Sequence, residues 1–195
     1  MKKLLITGFD PFGGESINPS WEAVKRLPET VGSWLLTRLE IPTMFDKAYE
    51  TVLTAAKQLQ PDAIICVGQA GGRSAITPEV VGINLREASI ADNAGTLATG
   101  QSIREDGPAA YFATVPVRSM VENIRNVQLP ANLSYSAGAF VCNDVLYSLL
   151  HHFGGSGVQV GFIHVPFLPE QAKEGVPSLT LEQIVAGLTA AIEAM

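Results

Sequence analysis

Short apolar runs bounded by turn residues recur along the chain at residues 4–7, 34–41, 63–67, 113–115 and 158–165. Runs of this length predict strands covered on both faces, as in a parallel sheet. The segments between them carry apolar residues at helical spacing. Asn18-Pro19 supplies an N-cap with proline in the first turn, followed by Trp21, Val24 and Leu27. Tyr49, Val52, Ala56 and Leu59 form a second helical face, and Val117, Met120, Val121 and Ile124 a third. Val145, Leu146, Leu149, Leu150 and Phe153 make a fourth. Thr180 and Gln183 have capping-box spacing ahead of Ile184, Val185 and Leu188, which predicts a final helix. Strands alternating with helices point to an α/β fold, a three-layer α/β/α sandwich around a largely parallel, twisted sheet. Residues 83–90 alternate like a half-exposed strand and predict a smaller edge hairpin. No repeat or linker interrupts the pattern, so residues 1–195 read as one domain.

Two stretches imitate membrane signals. Met1-Lys2-Lys3 before Leu4-Leu5-Ile6 looks like the start of a signal peptide, but Asp10 and Pro11 end the apolar run too soon. Residues 145–169 carry no formal charge, yet His151, His152, Pro166 and a cluster of glycines break the span. No membrane partner is expected. With 13 Lys and Arg against 19 Asp and Glu, the net charge of −6 also disfavours nucleic acid and anionic lipid. Charged residues make up only 16% of the chain, below the usual ~25%, which suggests a surface partly covered in a homo-oligomer. Two cysteines do not make a disulfide framework in a chain this long, so a reducing cytoplasm is the expected compartment.

In open α/β sheets, ligands bind in the loops that follow the strands. The loops in question are Gly8 to Gly14, Gly68 to Arg73, Ser136 to Asn143, and His164 to Phe167. None has a Walker A, Gly-x-Gly-x-x-Gly or Gly-x-Ser-x-Gly pattern, and no metal-ligand spacing occurs. Cys142 stands between a small-residue turn and a helix start, where unpaired N–H groups and the helix dipole favour a thiolate and can hold an oxyanion. The competing reading is a small buried hydrophobe, and that reading fits mid-strand Cys66. His164 ends an apolar strand, where it is either a core histidine or the base a nucleophilic cysteine needs. Glu79 and Asp10 compete to orient that imidazole. His151 and His152 close a helix, where they are expected to complement its dipole and cap carbonyls.

Several of these segments, in order, resemble the pyroglutamyl peptidase (pyrrolidone-carboxylate peptidase) family of cysteine peptidases. The matching runs are Thr7-Gly8-Phe9-Asp10-Pro11-Phe12-Gly13 with Asn18-Pro19-Ser20, and Val67-Gly68-Gln69-Ala70-Gly71-Gly72-Arg73 with Ile76-Thr77-x-Glu79. They continue with Asp92-Asn93, the run Ser136-Ala137-Gly138-Ala139-Phe140-Val141-Cys142-Asn143, and Gly161-Phe162-Ile163-His164-Val165-Pro166-Phe167. The resemblance implies Cys142 as nucleophile, His164 as general base and acid, and Glu79 as the group orienting His164. It implies removal of an N-terminal 5-oxoproline from peptides, without metal or cofactor, by a homotetramer. Phe9, Phe12, Ile90, Phe140 and Val141 match positions lining the family's apolar slot, with Asn18 and Gln69 expected to meet the lactam. The chain departs from the family pattern at Ser89, where an arginine is common, and Arg73 is then a candidate for the oxyanion. Two alternatives stand beside this reading: a nucleoside phosphorylase, with Arg73 and Arg86 for phosphate, and a decayed relative that binds pyroglutamate without cleaving it.

Overall fold

The computed structural model describes residues 1–195. In chain order the elements are β1 (Lys2–Phe9), α1 (Pro19–Val24), β2 (Thr30–Val31), β3 (Trp34–Ile41), α2 (Lys47–Leu59), β4 (Ala63–Gln69) and β5 (Thr77–Pro78). They continue with β6 (Val81–Ile83), β7 (Ala110–Phe112), α3 (Val117–Asn126), α4 (Val141–Phe153), β8 (Gln159–Val165) and α5 (Leu181–Glu193). The six-stranded sheet has the order β2-β3-β1-β4-β8-β5. Neighbours among β3, β1, β4 and β8 run parallel, while short β2 and β5 close the two edges antiparallel.

Alternation along the central strands sends successive side chains into two cores. Leu4, Ile6, Ile65, Val67, Ile163 and Val165 pack with α1, α3 and α5 on one face. Leu5, Phe9, Ile64, Cys66, Val160 and Phe162 pack with α2 and α4 on the other. This is the expected three-layer sandwich. The Asn18 cap holds, its side chain accepting from Ser20 N, and Thr180 with Gln183 forms the full capping box. No helix is long and apolar enough to cross a membrane.

Three details differ from the sequence expectation. Residues 113–115 are not a strand: the strand lies just before them as β7, paired with β6 in a separate two-stranded ribbon. Val115 is apolar because it fills the space above Gly161, and Thr114 N donates to Val160 O at 2.9 Å. The half-exposed run of residues 83–90 forms only the end of β6 and one bridge, Arg86 to Gln101. β3 is not covered on both faces, since Leu35, Thr37, Arg38 and Glu40 are exposed beside the short edge strand.

Candidate active site

β8 pairs with β4 in a register that sets His164 beside Gly68. Both lie on the face that packs against α4, because they continue the alternation of Phe162 and Cys66. Cys142 is the second residue of α4. Its Sγ occupies the space above Gly68, only 2.9 Å from where a β-carbon on that glycine would stand. The sulfur therefore sits over a backbone that is one strand spacing, ~4.8 Å, from the strand that carries His164. Fold topology brings together two residues far apart in sequence.

The His164 imidazole is buried, with its ring centroid 4.7 Å from that of Phe162. Its Nδ1 lies 2.7 Å from Glu79 Oε1, and Glu79 is fully buried. Asp10 is engaged elsewhere, accepting from Thr43 N at 2.7 Å and Asn93 Nδ2 at 3.2 Å. Of the two carboxylates, it is Glu79 that meets the imidazole. Burial pushes its carboxyl up, but the hydrogen bond and charge of His164, aided by nearby Ser134 and Arg73, hold it below its ordinary value. An ionised carboxylate only accepts, so Nδ1 carries the proton and Nε2 presents its lone pair.

The ionisation of the cysteine runs against the sequence expectation. Cys142 is partly accessible to solvent, yet the atoms around its sulfur make desolvation dominant. Burial, then the charge of Glu79, push the thiol well above its ordinary value. Burial also lowers the His164 imidazole, with Glu79 pulling it up and Arg73 pushing it down. The first turn of α4 does not overcome these effects, so burial works toward the uncharged form of both groups, thiol and neutral imidazole. Val141, Cys142 and Asn143, the first residues of α4, have no backbone acceptor for their amides. They form a set of donors beside the sulfur. Cys66 is fully buried with its thiol pushed up to about 12, as expected of inert core.

Arg73 is not free for an oxyanion. Its Nη1 donates to Glu79 Oε1 at 2.8 Å and to Thr77 Oγ1 at 2.6 Å, and its Nη2 donates to Ser136 O at 3.0 Å. Arg86 is similarly committed, donating to Asp144 Oδ1 at 2.6 Å and pairing with Asp46. A phosphorylase would need cations available to phosphate, and neither arginine is. Ser89 is exposed on its loop. No group of three or more His, Cys, Asp or Glu side chains converges to hold a metal ion. His151 and His152 meet tyrosine hydroxyls instead of helix carbonyls, Tyr111 at 2.9 Å and Tyr49 at 3.1 Å. Burial and neighbouring cations lower His152, which works against its carrying a charge to complement the dipole.

The expected slot residues divide into two groups. Phe12 and Phe140 face one another with centroids 6.0 Å apart, and exposed Ile90 lies beside Gly13 in the same loop cluster. Phe9 and Val141 are buried behind them in the core. Asn18 spends its side-chain oxygen on Ser20 and one amide hydrogen on Asp10 O at 2.9 Å, which leaves a single N–H for a ligand. Gln69 ends β4, and its side-chain oxygen accepts from Gln171 at 3.0 Å.

Sequence reasoning missed Phe45, which packs edge-on against Phe140 at 5.4 Å. Asp92 fixes its backbone, accepting from Phe45 N at 2.9 Å while also holding Ala94 N and Thr96 N. It also missed Asp144, whose full burial in an apolar helix was the available signal that a cation must face it.

The pyroglutamyl peptidase family profile matches residues 2–195. The pyrrolidone-carboxylate peptidase of Levilactobacillus brevis is 51% identical, the alignment covering 99% of this chain and 97% of that protein. The Enterococcus faecalis pyrrolidone-carboxylate peptidase is 50% identical over 98% of this chain and 92% of its own length. Pyroglutamyl peptidase I of Bacillus amyloliquefaciens superposes with a TM-score of 0.96 at 47% identity, covering 100% of this chain and 96% of that one. The Thermococcus litoralis pyrrolidone carboxyl peptidase gives 0.94 at 36% identity, over 100% and 93% of the two chains. With this agreement from end to end, and a cysteine, histidine and glutamate gathered on one sheet edge, the chain belongs to the pyroglutamyl peptidase family.

Proposed function

We propose that this chain is a cysteine peptidase that removes an N-terminal pyroglutamyl residue from peptides, with Cys142, His164 and Glu79 as its catalytic residues. The observation that carries the reading is the alignment of Glu79, His164 and Gly68, with the Cys142 sulfur lying over that glycine. His164 Nε2 takes the proton from Sγ as the sulfur attacks the pyroglutamyl carbonyl, so the nucleophile is generated only as it is used. Glu79 stabilises the imidazolium that results. The tetrahedral oxyanion forms beside the free amides at the start of α4, where each donor contributes roughly 3 kcal/mol. The imidazolium then protonates the departing amine, leaving a thioester on Cys142. Water, deprotonated by the same imidazole, attacks the thioester and releases pyroglutamate and the free thiol.

The lactam ring carries no charge, so its slot needs apolar walls and a few polar groups. Half-buried Phe12 and Phe140 and exposed Ile90 supply apolar surface, with Phe9 and Val141 in the core. The remaining Asn18 N–H and the end of β4 at Gln69 are the polar candidates for the lactam. A cytoplasmic location is supported by two unpaired cysteines, one of them proposed as the free thiol of the reaction. A homo-oligomer, tetrameric by family likeness, is supported by exposed Phe112, Leu97 and Leu35.

The test is release of naphthylamine from a pyroglutamyl-naphthylamide, run beside Cys142→Ser. The wild type should turn over and the variant should not. Tight pyroglutamate binding without turnover would instead identify a non-catalytic relative.

A further inference from the structure

We propose that Arg73 is a positioning residue for this reaction: its guanidinium locks Glu79 in place behind His164 and ties both to the loop that delivers the nucleophile. The inference rests on the triad proposed above. Three separate parts of the chain meet at this one side chain. Arg73 belongs to the glycine-rich loop after β4. It reaches Glu79 Oε1, the same oxygen that accepts from His164 Nδ1, and it reaches the carbonyl of Ser136, six residues before Cys142. Thr77 Oγ1, at 2.6 Å from Nη1, fixes the plane of the fork from β5.

Glu79 needs this partner. It is fully buried and its Oε2 has no hydrogen-bond partner, the neighbouring Ser134 Oγ being turned to Ser136 O at 3.2 Å. Its two close partners, His164 and Arg73, share Oε1, while Ser134 stands near enough to help hold the charge. Without the guanidinium the carboxylate would be free to turn about its last torsion, and the imidazole would lose its fixed direction. A lysine retains the charge but not the fork, so it cannot hold Glu79, Thr77 and Ser136 together.

The cation also sets the charge felt by His164. The charged groups acting on that imidazole are Glu79 next to β5 and Arg73 from its loop, with the Cys142 thiol from α4 over the adjoining Gly68. Arg73 is the one permanent cation among them, and it opposes protonation of the ring. It is not sealed in. A cleft of about 440 Å³ lined by Thr77, Leu133, Ser134, Tyr135 and Ser136 opens onto it from solvent.

The experiment compares wild type, Arg73→Gln, Arg73→Lys and Arg73→Ala. Arg73→Gln should lose about 100-fold in kcat, the scale of a misplaced catalytic group, with KM little changed. Its acid limb in kcat/KM should move to higher pH. Arg73→Lys should restore the limb but only part of the rate, and millimolar guanidinium entering the cleft should partly rescue Arg73→Ala. Wild-type kcat and pH profile in Arg73→Gln would overturn the proposal. So would a rate loss with an unmoved acid limb and no response to lysine or guanidinium, which would mark a purely structural role. Iodoacetamide alkylation of Cys142 against pH reads the same geometry without turnover. If the wild type failed to cleave its substrate, a shifted alkylation profile in Arg73→Gln would still support the positioning role, and an unshifted one would overturn it.

Discussion

Gly68→Ala places a methyl group where the Cys142 sulfur already lies. The added carbon would stand 2.9 Å from Sγ and 2.7 Å from Phe162 Cζ. Ordinary carbon contacts fall at about 3.5–4.0 Å, so the sulfur must retreat by roughly 0.6–1.1 Å. A displacement of that size at a nucleophile costs about 100-fold in rate. The overpacking itself should cost about 1–3 kcal/mol, which for a chain of this length lowers Tm by roughly 2–12 °C. A control separates the two effects. Gly161→Ala, on the neighbouring strand β8, meets Val115 Cγ2 at 2.3 Å on the opposite face of the sheet. It should lower Tm comparably and leave kcat near wild type. The assays are naphthylamide hydrolysis and thermal unfolding of both variants. A Gly68→Ala enzyme with wild-type kcat, or a Gly161→Ala enzyme equally impaired, would refute the placement of the sulfur.

Glu79→Gln preserves size but removes the charge facing the imidazolium, so kcat should fall about 10³- to 10⁴-fold while KM changes little; an activity near wild type would show that Glu79 does not act on His164. Because the imidazole is lowered and the thiol raised, kcat/KM should rise with an apparent pKa below the ordinary ~6.5 of histidine. It should then stay level well past neutrality, whereas an alkaline fall near neutral pH would indicate a preformed thiolate–imidazolium pair. The same group contributes to stability. Folded His164 binds its proton less tightly than an unfolded histidine, so its contribution is complete above about pH 6.5 and is lost as pH falls through the depressed folded value. Tm measured from pH 7.5 to pH 5 should decline, and less steeply in His164→Gln.

The strands β1, β3, β4 and β8 and the five helices were legible because their apolar spacing reflects real burial. The ribbon was not. Residues 110–112 are largely exposed, Phe112 at 75%, so no buried pattern marks β7, whereas 113–115 imitate a strand for packing reasons. The start of α4 at Val141 was also hidden, since Phe140 makes no side-chain cap. Cys142, His164 and Glu79 stood out as lone reactive groups beside apolar runs. Their ionisation did not, because burial depends on everything packed around them. Arg73 was visible as a cation, yet which of several anionic partners it would choose is a matter of loop geometry that spacing does not encode. Phe45 and Asp92 illustrate the same limit, joined by a hydrogen bond across 47 positions.

A thiol pushed up by burial has a consequence for its reactions with anything other than substrate. Peroxide and stray electrophiles react with thiolates far faster than with thiols. Packed beside Phe162 over Gly68, the Cys142 thiol is pushed by burial toward its less reactive, protonated form. The enclosure that raises the thiol thus also works against the reactions that need a thiolate.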